Sequence, residues 1–329
     1  MNWLSVPSKN ICDEIRRMLS ANRICMIQGQ PGSGKSTTIP WYVNTLQEEF
    51  LQRPCSSVCS APRRLMVTGI VAYLCRHVEG THRYAPQAGD IGYGIGNEAT
   101  MWGRKVNYVT HGYFKRRFSK PEDFFQLSTI LIDEVHEQSP DAECVSVLSN
   151  LALKKNTDLK LVLMSATIEH SAMAIFFAAG SKPISLGSSL FPVEVYYLED
   201  LYKSKPFRLL WPAIGKLLDH QNREGPPTLP FYVLRLVANL AMLVTQRGRA
   251  TLIFLPGLEE IHGVAKCFHY KIKEQQGADR NAQRSDWCVS LLHSSVPVNE
   301  LRGLDGGKEH FGGVIFVSLC GSDRSFIHV

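Results

Sequence analysis

The chain has 329 residues, of which 44% are hydrophobic and 20% charged, and its formal net charge is +6. This composition is typical of a globular protein and excludes a largely disordered chain, while the length favours two domains of roughly 150 residues each. The positive charge favours a polyanionic partner such as a nucleic acid, although a mildly basic protein without such a partner has the same balance.

Cysteine usage and the apolar runs narrow the class of protein further. Nine cysteines with no C-x-x-C pair exclude a disulfide framework and a zinc ribbon, and they indicate a reducing compartment. The first residues lack the features of a secretory signal. The longest apolar stretch, residues 231–244, is too short to span a bilayer and carries Arg235. We therefore expect no membrane partner, and the sequence leaves both cytoplasm and nucleus open.

Short apolar runs alternate with helical patterns, which predicts an α/β fold with parallel sheets flanked by helices. One helix is predicted to start at Ser8, and a second, amphipathic helix covers residues 231–244. A first set of buried strands is predicted at residues 24–27, 105–110, 129–132 and 159–164. A second set is predicted at residues 193–198, 251–255, 288–292 and 314–317.

Two polar segments separate these elements. Residues 180–187 are small and polar and predict a linker, which gives an ATP-binding domain at 1–185 and a second domain at 186–329. Residues 220–230 are polar and rich in proline, which predicts an exposed loop within the second domain. Ligands are expected at the carboxyl ends of the strands, as in other open α/β sheets.

A glycine-rich motif follows the first buried strand and precedes a helical stretch. Residues 29–36 fit the pattern G-x-x-x-x-G-K-[ST] of a phosphate-binding loop. Backbone N–H groups then face the phosphates, Lys35 supplies positive charge and the Ser36 hydroxyl is a magnesium ligand. The order of strand, loop and helix disfavours the alternative of a glycine-rich turn with a chance lysine. The predicted ATP-binding residues are Gly29, Gln30, Pro31, Gly32, Ser33, Gly34, Lys35, Ser36 and Thr37.

A pair of acids stands directly after the strand at residues 129–132. Asp133 is placed to hold magnesium, and Glu134 is placed to polarise the water that attacks the γ-phosphate. An acidic pair after a strand is by itself more often a solvated loop. Together with a phosphate-binding loop about a hundred residues upstream, it becomes the expected second half of an ATP- and Mg²⁺-dependent site.

Two weaker motifs follow other strands. Arg63 and Arg64 are candidates for contact with a phosphate backbone, although two loop arginines are more often solvated surface. Ser165 and Thr167 are candidates for hydrogen bonds that couple the two sides of the cleft, although hydroxyl residues at a strand end commonly cap the next helix.

With these four motifs in this order, the chain resembles superfamily 2 helicases, and the box from Asp133 to His136 resembles that of DEAH-box RNA helicases in its DEVH spelling. Residues 252–257 are similar to the family's motif IV, and residues 109–112 to its motif Ib. Within the family, the DEVH spelling, residues 193–198 and residues 255–257 resemble the spindle-E-like subgroup.

The resemblance implies two RecA-like P-loop domains and assigns roles to several residues. It implies that Lys35, Asp133 and Glu134 carry out ATP hydrolysis and that His136 links the site to the opposite domain. It also implies that the RNA backbone is bound by Arg63, Arg64 and Thr110. Lys115, Arg116 and Arg117 would add affinity that does not depend on RNA sequence, or else form a solvated helix face.

Four departures from the family pattern are visible. His111 stands where the family usually has aspartate, and Tyr73 stands near a position that often carries an arginine stacked on adenine. Only Val317 and Ser318 match motif V well, and the arginine-finger element Q-x-x-G-R-x-G-R has no counterpart in the sequence. The sequence therefore predicts an incomplete second RecA-like domain. Without an arginine finger, ATP is still expected to be positioned but to be hydrolysed more slowly.

These observations predict an ATP-dependent RNA helicase, a P-loop NTPase in which RNA-stimulated ATP hydrolysis drives RNA unwinding or remodelling. The alternative is a catalytically impaired protein that is derived from a helicase and binds nucleotide and RNA without unwinding. A motor that acts on DNA is a third possibility, because such motors contact mainly phosphate and sugar. We expect a monomer with ATP and Mg²⁺ as ligands and single-stranded RNA as partner. The sequence leaves open the protein partners, the RNA target and the translocation polarity.

Overall fold

The computed structural model describes thirteen stretches of the chain, which are residues 8–30, 32–77, 89–96, 100–137, 139–166, 177, 182–187, 194–203, 205–220, 229–245, 250–278, 287–292 and 312–318. The chain divides into two compact units, Met1–Pro192 and Val193–Val329. The assignment of residues 1–185 and 186–329 to two helicase domains stays a prediction.

The first unit is built on a seven-stranded parallel sheet. Its strands are β1 (Ile24–Gln28), β2 (Ser57–Ala61), β3 (Ile91–Gly94), β4 (Val106–Thr110), β5 (Thr129–Ile132), β6 (Lys160–Ser165) and β7 (Ile184–Ser185). Their order across the sheet is β3-β4-β2-β5-β6-β1-β7, and every pair of neighbours runs parallel. The helices are α1 (Lys9–Ala21), α2 (Thr38–Leu51), α3 (Arg64–His77), α4 (His111–Arg117) and α5 (Pro140–Lys155), with a 3₁₀ helix at Pro121–Phe124.

Helices cover both faces of this sheet, and a separate core lies under each. On one face, α1, α2 and α3 bury apolar side chains such as Ile15, Ile39 and Val67. On the other face, α4 and α5 bury side chains such as Phe114 and Val145. The strands between the two layers consist almost wholly of buried residues, as expected for a parallel sheet covered on both sides. The predicted α/β class is confirmed.

Helix α5 follows the acidic motif and begins at a strong helix-start signal. The Ser139 hydroxyl accepts a hydrogen bond of 3.2 Å from the backbone N–H of Ala142, and Pro140 occupies the first helical position. Acidic residues lie in the first turn and basic residues in the last, and these charges stabilise the helix by interacting favourably with its dipole. These local signals fix where the chain leaves the acidic motif.

A buried amide joins the start of β4 to the loop before it. Asn107 accepts a hydrogen bond from the Gly103 N–H at 2.7 Å and donates one to the Gly103 carbonyl at 3.1 Å. On the adjacent strand, a Cβ atom at Gly92 would lie 1.9 Å from Asn107 Oδ1 and 2.2 Å from the Gly103 nitrogen. The close approach of backbone and amide therefore requires glycine at position 92.

The second unit has a three-stranded parallel sheet in the order β8-β10-β9, formed by β8 (Ala250–Leu255), β9 (Trp287–Leu292) and β10 (Gly312–Ser318). Its helices are α6 (Leu198–Lys203), α7 (Trp211–His220), α8 (Phe231–Val244) and α9 (Leu258–Ala278), with a 3₁₀ helix at Lys205–Leu210. The core between β8, α8 and α9 contains Ile253, Val237, Val264 and Phe268. The predicted amphipathic helix at residues 231–244 is confirmed.

Two sequence predictions about the junction are wrong. The strand predicted at 193–198 is absent from its described residues, because residues 194–197 have no regular structure and Leu198 begins α6. The side chains of Val195, Tyr196 and Tyr197 are each more than 60% exposed. The linker predicted at 180–187 contains β7, which pairs with β1.

Two further predictions concern the loop and the membrane. Most of the loop predicted at 220–230, residues 221–228, lies outside the described residues. Within the described parts of the chain, no helix combines the length and the apolar character needed to cross a bilayer.

Candidate functional site

The phosphate-binding loop connects β1 to α2 at the carboxyl edge of the sheet. The backbone N–H of Gly29 donates to the Ser165 carbonyl at 3.0 Å, which holds the loop against the end of β6. Gly32 and Gly34 both have φ of +82°, a conformation that glycine adopts without steric cost. The Gly34 carbonyl then accepts from the Thr38 N–H at 2.7 Å, so the loop passes directly into α2.

The burial of two side chains of the loop indicates that the loop binds a ligand. The Ser33 hydroxyl is buried and has no hydrogen-bond partner. The side chain of Lys35 is 5% exposed, although a lysine is rarely buried unless it is paired with an anion. A Cβ atom at Gly29 would lie 2.5 Å from Ser33 Oγ, so the loop has no room for a larger residue there. These features fit a loop that cradles phosphate groups. Of the predicted loop residues, Pro31 lies outside the described chain.

Lys35 joins the loop to both acids of the DEVH box. Its Nζ atom lies 2.9 Å from Glu134 Oε1 and 3.7 Å from Asp133 Oδ1. The Lys35 and Asp133 side chains are almost fully buried, whereas that of Glu134 is 20% exposed. The sheet order explains the meeting, because β6 is the single strand between β1 and β5. Three of the predicted catalytic side chains therefore meet at one point of the sheet edge.

The environment of Asp133 suits a cation ligand. Burial raises the pKa of this carboxyl group, and the opposing attraction of Lys35 and the hydrogen bond from Ser36 do not fully offset it. Asp133 Oδ1 accepts from the Glu134 N–H at 2.9 Å, while Oδ2 is buried without a partner. A buried carboxylate oxygen without a hydrogen bond is costly unless a ligand occupies it. Ser36 and Asp133 thus fit Mg²⁺, which commonly takes only one or two protein ligands beside phosphate and water.

Glu134 stands in a tight turn after β5. Its φ is +52°, in the left-handed region that residues other than glycine seldom adopt. The turn is closed by a hydrogen bond of 2.9 Å from the Glu137 N–H to the Glu134 carbonyl. The Val135 N–H donates to the Met164 carbonyl at 3.2 Å, which attaches the turn to β6. The unusual backbone of Glu134 is therefore held in place from two sides.

His136 connects the acidic box to the end of β6. Its Nδ1 atom lies 2.9 Å from Ser165 Oγ and 3.3 Å from Glu134 Oε2. The His136 side chain is 38% exposed, whereas Ser165 is fully buried. The structure therefore brings His136 and Ser165 together with Glu134. Thr167, the other predicted coupling residue, lies outside the described residues.

The predicted nucleic-acid residues lie farther along the same sheet edge. Strands β2 and β4 are neighbours, and Ala61 pairs with Thr110, so the segments that follow them meet. Arg63 is exposed, and its guanidinium lies 2.8 Å from Glu137 Oε1. Arg64 begins α3. Thr110 is only 7% exposed, and its hydroxyl caps α4 by accepting from the backbone of residue 113 at 3.3 Å.

The basic side chains of α4 are already engaged by protein groups. Each of the three contacts an acceptor on another part of the first unit. The contacts are Lys115 Nζ to Asp141 Oδ1 at 2.5 Å, Arg116 Nη2 to the Gly96 carbonyl at 2.5 Å and Arg117 Nη1 to Asp123 Oδ1 at 3.4 Å. Arg116 and Arg64 come together at Gly96, since a Cβ atom there would lie 2.9 Å from Arg64 Nη2.

His111 is a buried residue of this edge whose environment the sequence did not reveal. It is 2% exposed, its Nδ1 atom lies 2.7 Å from Ser60 Oγ, and its Nε2 atom has no hydrogen-bond partner. Burial lowers the pKa of His111 to about 4, against a smaller opposing effect of the Asp141 charge. The one sign of it in the sequence was that histidine stands at position 111, where the family usually has aspartate. Tyr73, the other departure, is a 40% exposed residue of α3.

The chain is similar to several known helicases. It is 28% identical over 313 residues to RNA editing associated helicase 2 of Trypanosoma brucei brucei, covering 88% of this chain and 14% of that protein. It is 28% identical over 315 residues to the ATP-dependent RNA helicase TDRD9 of Mus musculus, covering 90% of this chain and 21% of that protein. The chain thus spans about a seventh to a fifth of the length of these relatives.

A solved structure and a family model give the same result. The crystal structure of Escherichia coli DEAH/RHA helicase HrpB matches with a TM-score of 0.60 and 19% identity, covering 95% of this chain and 34% of that one. At this identity the match shows the fold alone, and the predicted RecA-like architecture is confirmed. The family model DEAD/DEAH box helicase matches residues 10–175, just over half of the chain. The chain with this site belongs to the DEAD/DEAH box helicase family.

Proposed function

We propose that this chain acts as an ATP-dependent RNA helicase of the DEAH-box type, in which RNA stimulates ATP hydrolysis. The observation that carries the proposal is the position of Lys35, a buried lysine of a phosphate-binding loop that contacts both Glu134 and Asp133. An ion pair with a purely structural role would not explain why Ser33 Oγ and Asp133 Oδ2 beside it are buried without hydrogen-bond partners. A polyphosphate with a divalent cation accounts for all of these groups together.

Each residue of the site has a separate task in hydrolysis. Backbone N–H groups of the loop and the start of α2 bind the phosphates, and Lys35 neutralises part of their charge. Ser36 and Asp133 hold Mg²⁺, which supplies charge neutralisation at the phosphates when it is bound. Glu134 orients the attacking water and accepts its proton. His136 and Ser165 keep the Glu134 carboxylate in place through the contacts at Nδ1.

The contact between Lys35 and Glu134 has to change when a nucleotide binds. Lys35 Nζ holds Glu134 Oε1 at 2.9 Å, so this carboxylate oxygen is occupied by the lysine. A triphosphate offers Lys35 a partner with more negative charge. The lysine then leaves Glu134, and the carboxylate is free to act on water. Substrate binding itself thus prepares the base.

RNA is the polymer that the surrounding surface and the relatives favour. Arg63 and Arg64 stand at the carboxyl edge of the sheet next to the nucleotide site, where a strand bound through its phosphates would affect that site. The relatives are described as RNA helicases, which supports the choice of RNA over DNA. Binding of RNA and DNA oligonucleotides of equal length and sequence tests it, and a clear preference for DNA would overturn the choice of substrate.

The proposal is tested by ATP hydrolysis with and without single-stranded RNA. We expect RNA-stimulated turnover in the parent chain and a loss of about a hundredfold or more in both Lys35→Ala and Glu134→Gln. Lys154→Ala and Glu49→Gln are matched controls, because they remove the same groups from exposed positions of the first unit. Both controls should hydrolyse ATP at the parent rate.

Two other results would contradict the proposal, the first in its function and the second in its assignment of the catalytic base. Tight ATP binding without turnover in the parent chain would favour a protein that binds nucleotide and RNA without being a motor. Turnover that survives Glu134→Gln would show that the base lies elsewhere. A duplex with a single-stranded overhang then tests whether hydrolysis is coupled to unwinding.

A further inference from the structure

The ion pair between Arg63 and Glu137 connects two functional segments. Arg63 follows β2 and is a candidate RNA contact, while Glu137 closes the turn that carries Glu134. The two residues are 74 positions apart in sequence, and their side chains meet at 2.8 Å. Glu137 occupies the Nη2 atom of Arg63. A bidentate contact of this guanidinium with an RNA phosphate uses Nη2 together with Nε or Nη1, so the phosphate and the Glu137 carboxylate compete for that atom.

We infer that Glu137 is a positioning residue that reports RNA binding to Glu134 by competing with RNA phosphate for Arg63. The inference rests on the proposed function, because it assumes that RNA binds near Arg63. In the absence of RNA, the ion pair ties the turn to the start of α3. When a phosphate takes Arg63, Glu137 loses its partner and the turn is released on one side.

The backbone contacts make this link specific. The Arg63 carbonyl accepts from the Val67 N–H at 3.3 Å, so the backbone of Arg63 is anchored to α3. On the other side, the Glu137 N–H holds the Glu134 carbonyl at 2.9 Å. Glu134 has a positive φ of 52°, so the geometry of the turn depends on the contacts around it. A change at the Glu137 side chain therefore reaches Glu134 through a single hydrogen bond.

The size of the effect follows from exposure. The side chains of Arg63 and Glu137 are 47% and 32% exposed, and exposed ion pairs typically change an equilibrium by about two- to fivefold. Glu137→Gln should therefore bind single-stranded RNA about two- to fivefold more tightly than the parent chain. It should also hydrolyse ATP faster without RNA, so that the stimulation by RNA falls by a similar factor.

The experiment measures RNA affinity and RNA stimulation in the full chain with a labelled oligouridylate. Asp158→Asn is the matched control, because Asp158 pairs with Arg53 at 3.2 Å at similar exposure, beside the amino ends of the strands. It removes one negative charge and should change neither quantity. A thermal denaturation curve for each variant shows that it is folded.

A double-variant cycle separates competition from general electrostatics. If Glu137 acts through Arg63, then Glu137→Gln has no further effect on RNA affinity in an Arg63→Gln background. If Glu137 merely repels RNA, it tightens binding by the same factor in both backgrounds, and the inference is overturned. Equal RNA affinity in Glu137→Gln and the parent chain would also overturn it. Lack of RNA-stimulated hydrolysis in the parent chain would instead refute the proposed function.

Discussion

The buried imidazole of His111 makes the stability of the first unit depend on pH in a defined window. Its pKa is about 4 in the folded chain and about 6.5 in the unfolded chain. Between these two values the unfolded chain binds more protons, so the free energy of unfolding falls as the pH falls. Well above pH 6.5 the ring is neutral in both states and contributes no dependence.

The magnitude follows from the difference between the two pKa values. One pKa unit corresponds to about 1.4 kcal/mol, so lowering the pKa from 6.5 to about 4 costs about 3 kcal/mol once the pH is below 4. The structural cause is visible, because the protonated ring carries an N–H at both nitrogens, and the one at the buried Nε2 atom has no acceptor. The charge of Asp141 favours the protonated ring but only partly offsets burial, and Asp141 also contacts Lys115.

The assay is urea denaturation followed by circular dichroism at pH 7.5, 6, 5 and 4.5. His111→Asn keeps a polar partner for Ser60 but cannot titrate. The parent chain should lose about 2 to 3 kcal/mol more than the variant between pH 7.5 and 4.5. The comparison cancels other groups that titrate in this range. Equal losses in both proteins would show that His111 is not neutral and buried in the folded state.

Three further predictions concern backbone conformation and thiol reactivity. Gly92→Ala should lower the free energy of unfolding by about 2 kcal/mol or more because its Cβ meets fixed neighbours, whereas Gly69→Ala, in open space on α3, should raise it by about 0.5 to 1 kcal/mol. Denaturant titration measures both, and a reversed order would contradict the close packing around Gly92. Glu134→Gly should be about 1 kcal/mol more stable than Glu134→Ala, because only glycine tolerates the positive φ without cost. At pH 8 a thiol reagent should label exposed Cys75 and leave Cys25 unmodified, since burial raises the pKa of Cys25 to about 12. Mass spectrometry of digests measures the labelling, and modification of Cys25 would contradict its burial.

The phosphate-binding loop and the acidic box could be predicted from the sequence because their signals are local. The phosphate-binding loop and the acidic box each follow a short apolar strand, and strand ends of a parallel sheet share one edge. The two motifs occur together in ATP- and Mg²⁺-dependent sites, and this was enough to predict that Lys35 shares a site with Asp133 and Glu134. The contact of Arg63 with Glu137 was not accessible, because it belongs to no such pair of motifs and depends on β2 and β5 being neighbours in the sheet.

The errors at the junction have a common physical cause. Residues 193–198 are rich in the residue types that favour strands, but the described residues among them pair with no neighbouring strand. The reverse holds for β7, where two residues in a polar segment become a strand because β1 offers a free edge. Strand formation depends on a partner, and the pattern of a single segment does not contain that partner.

The position of β6 between β1 and β5 has a consequence for how the site responds to its ligands. The carbonyls of Met164 and Ser165, adjacent residues of one strand, hold the backbone of the acidic turn and of the phosphate-binding loop. The two backbones are therefore anchored to the same strand. Lys35 can pass from Glu134 to a phosphate by side-chain torsions, which change much faster than domains move. The exchange of Lys35 from carboxylate to phosphate should for this reason not limit the rate of the catalytic cycle.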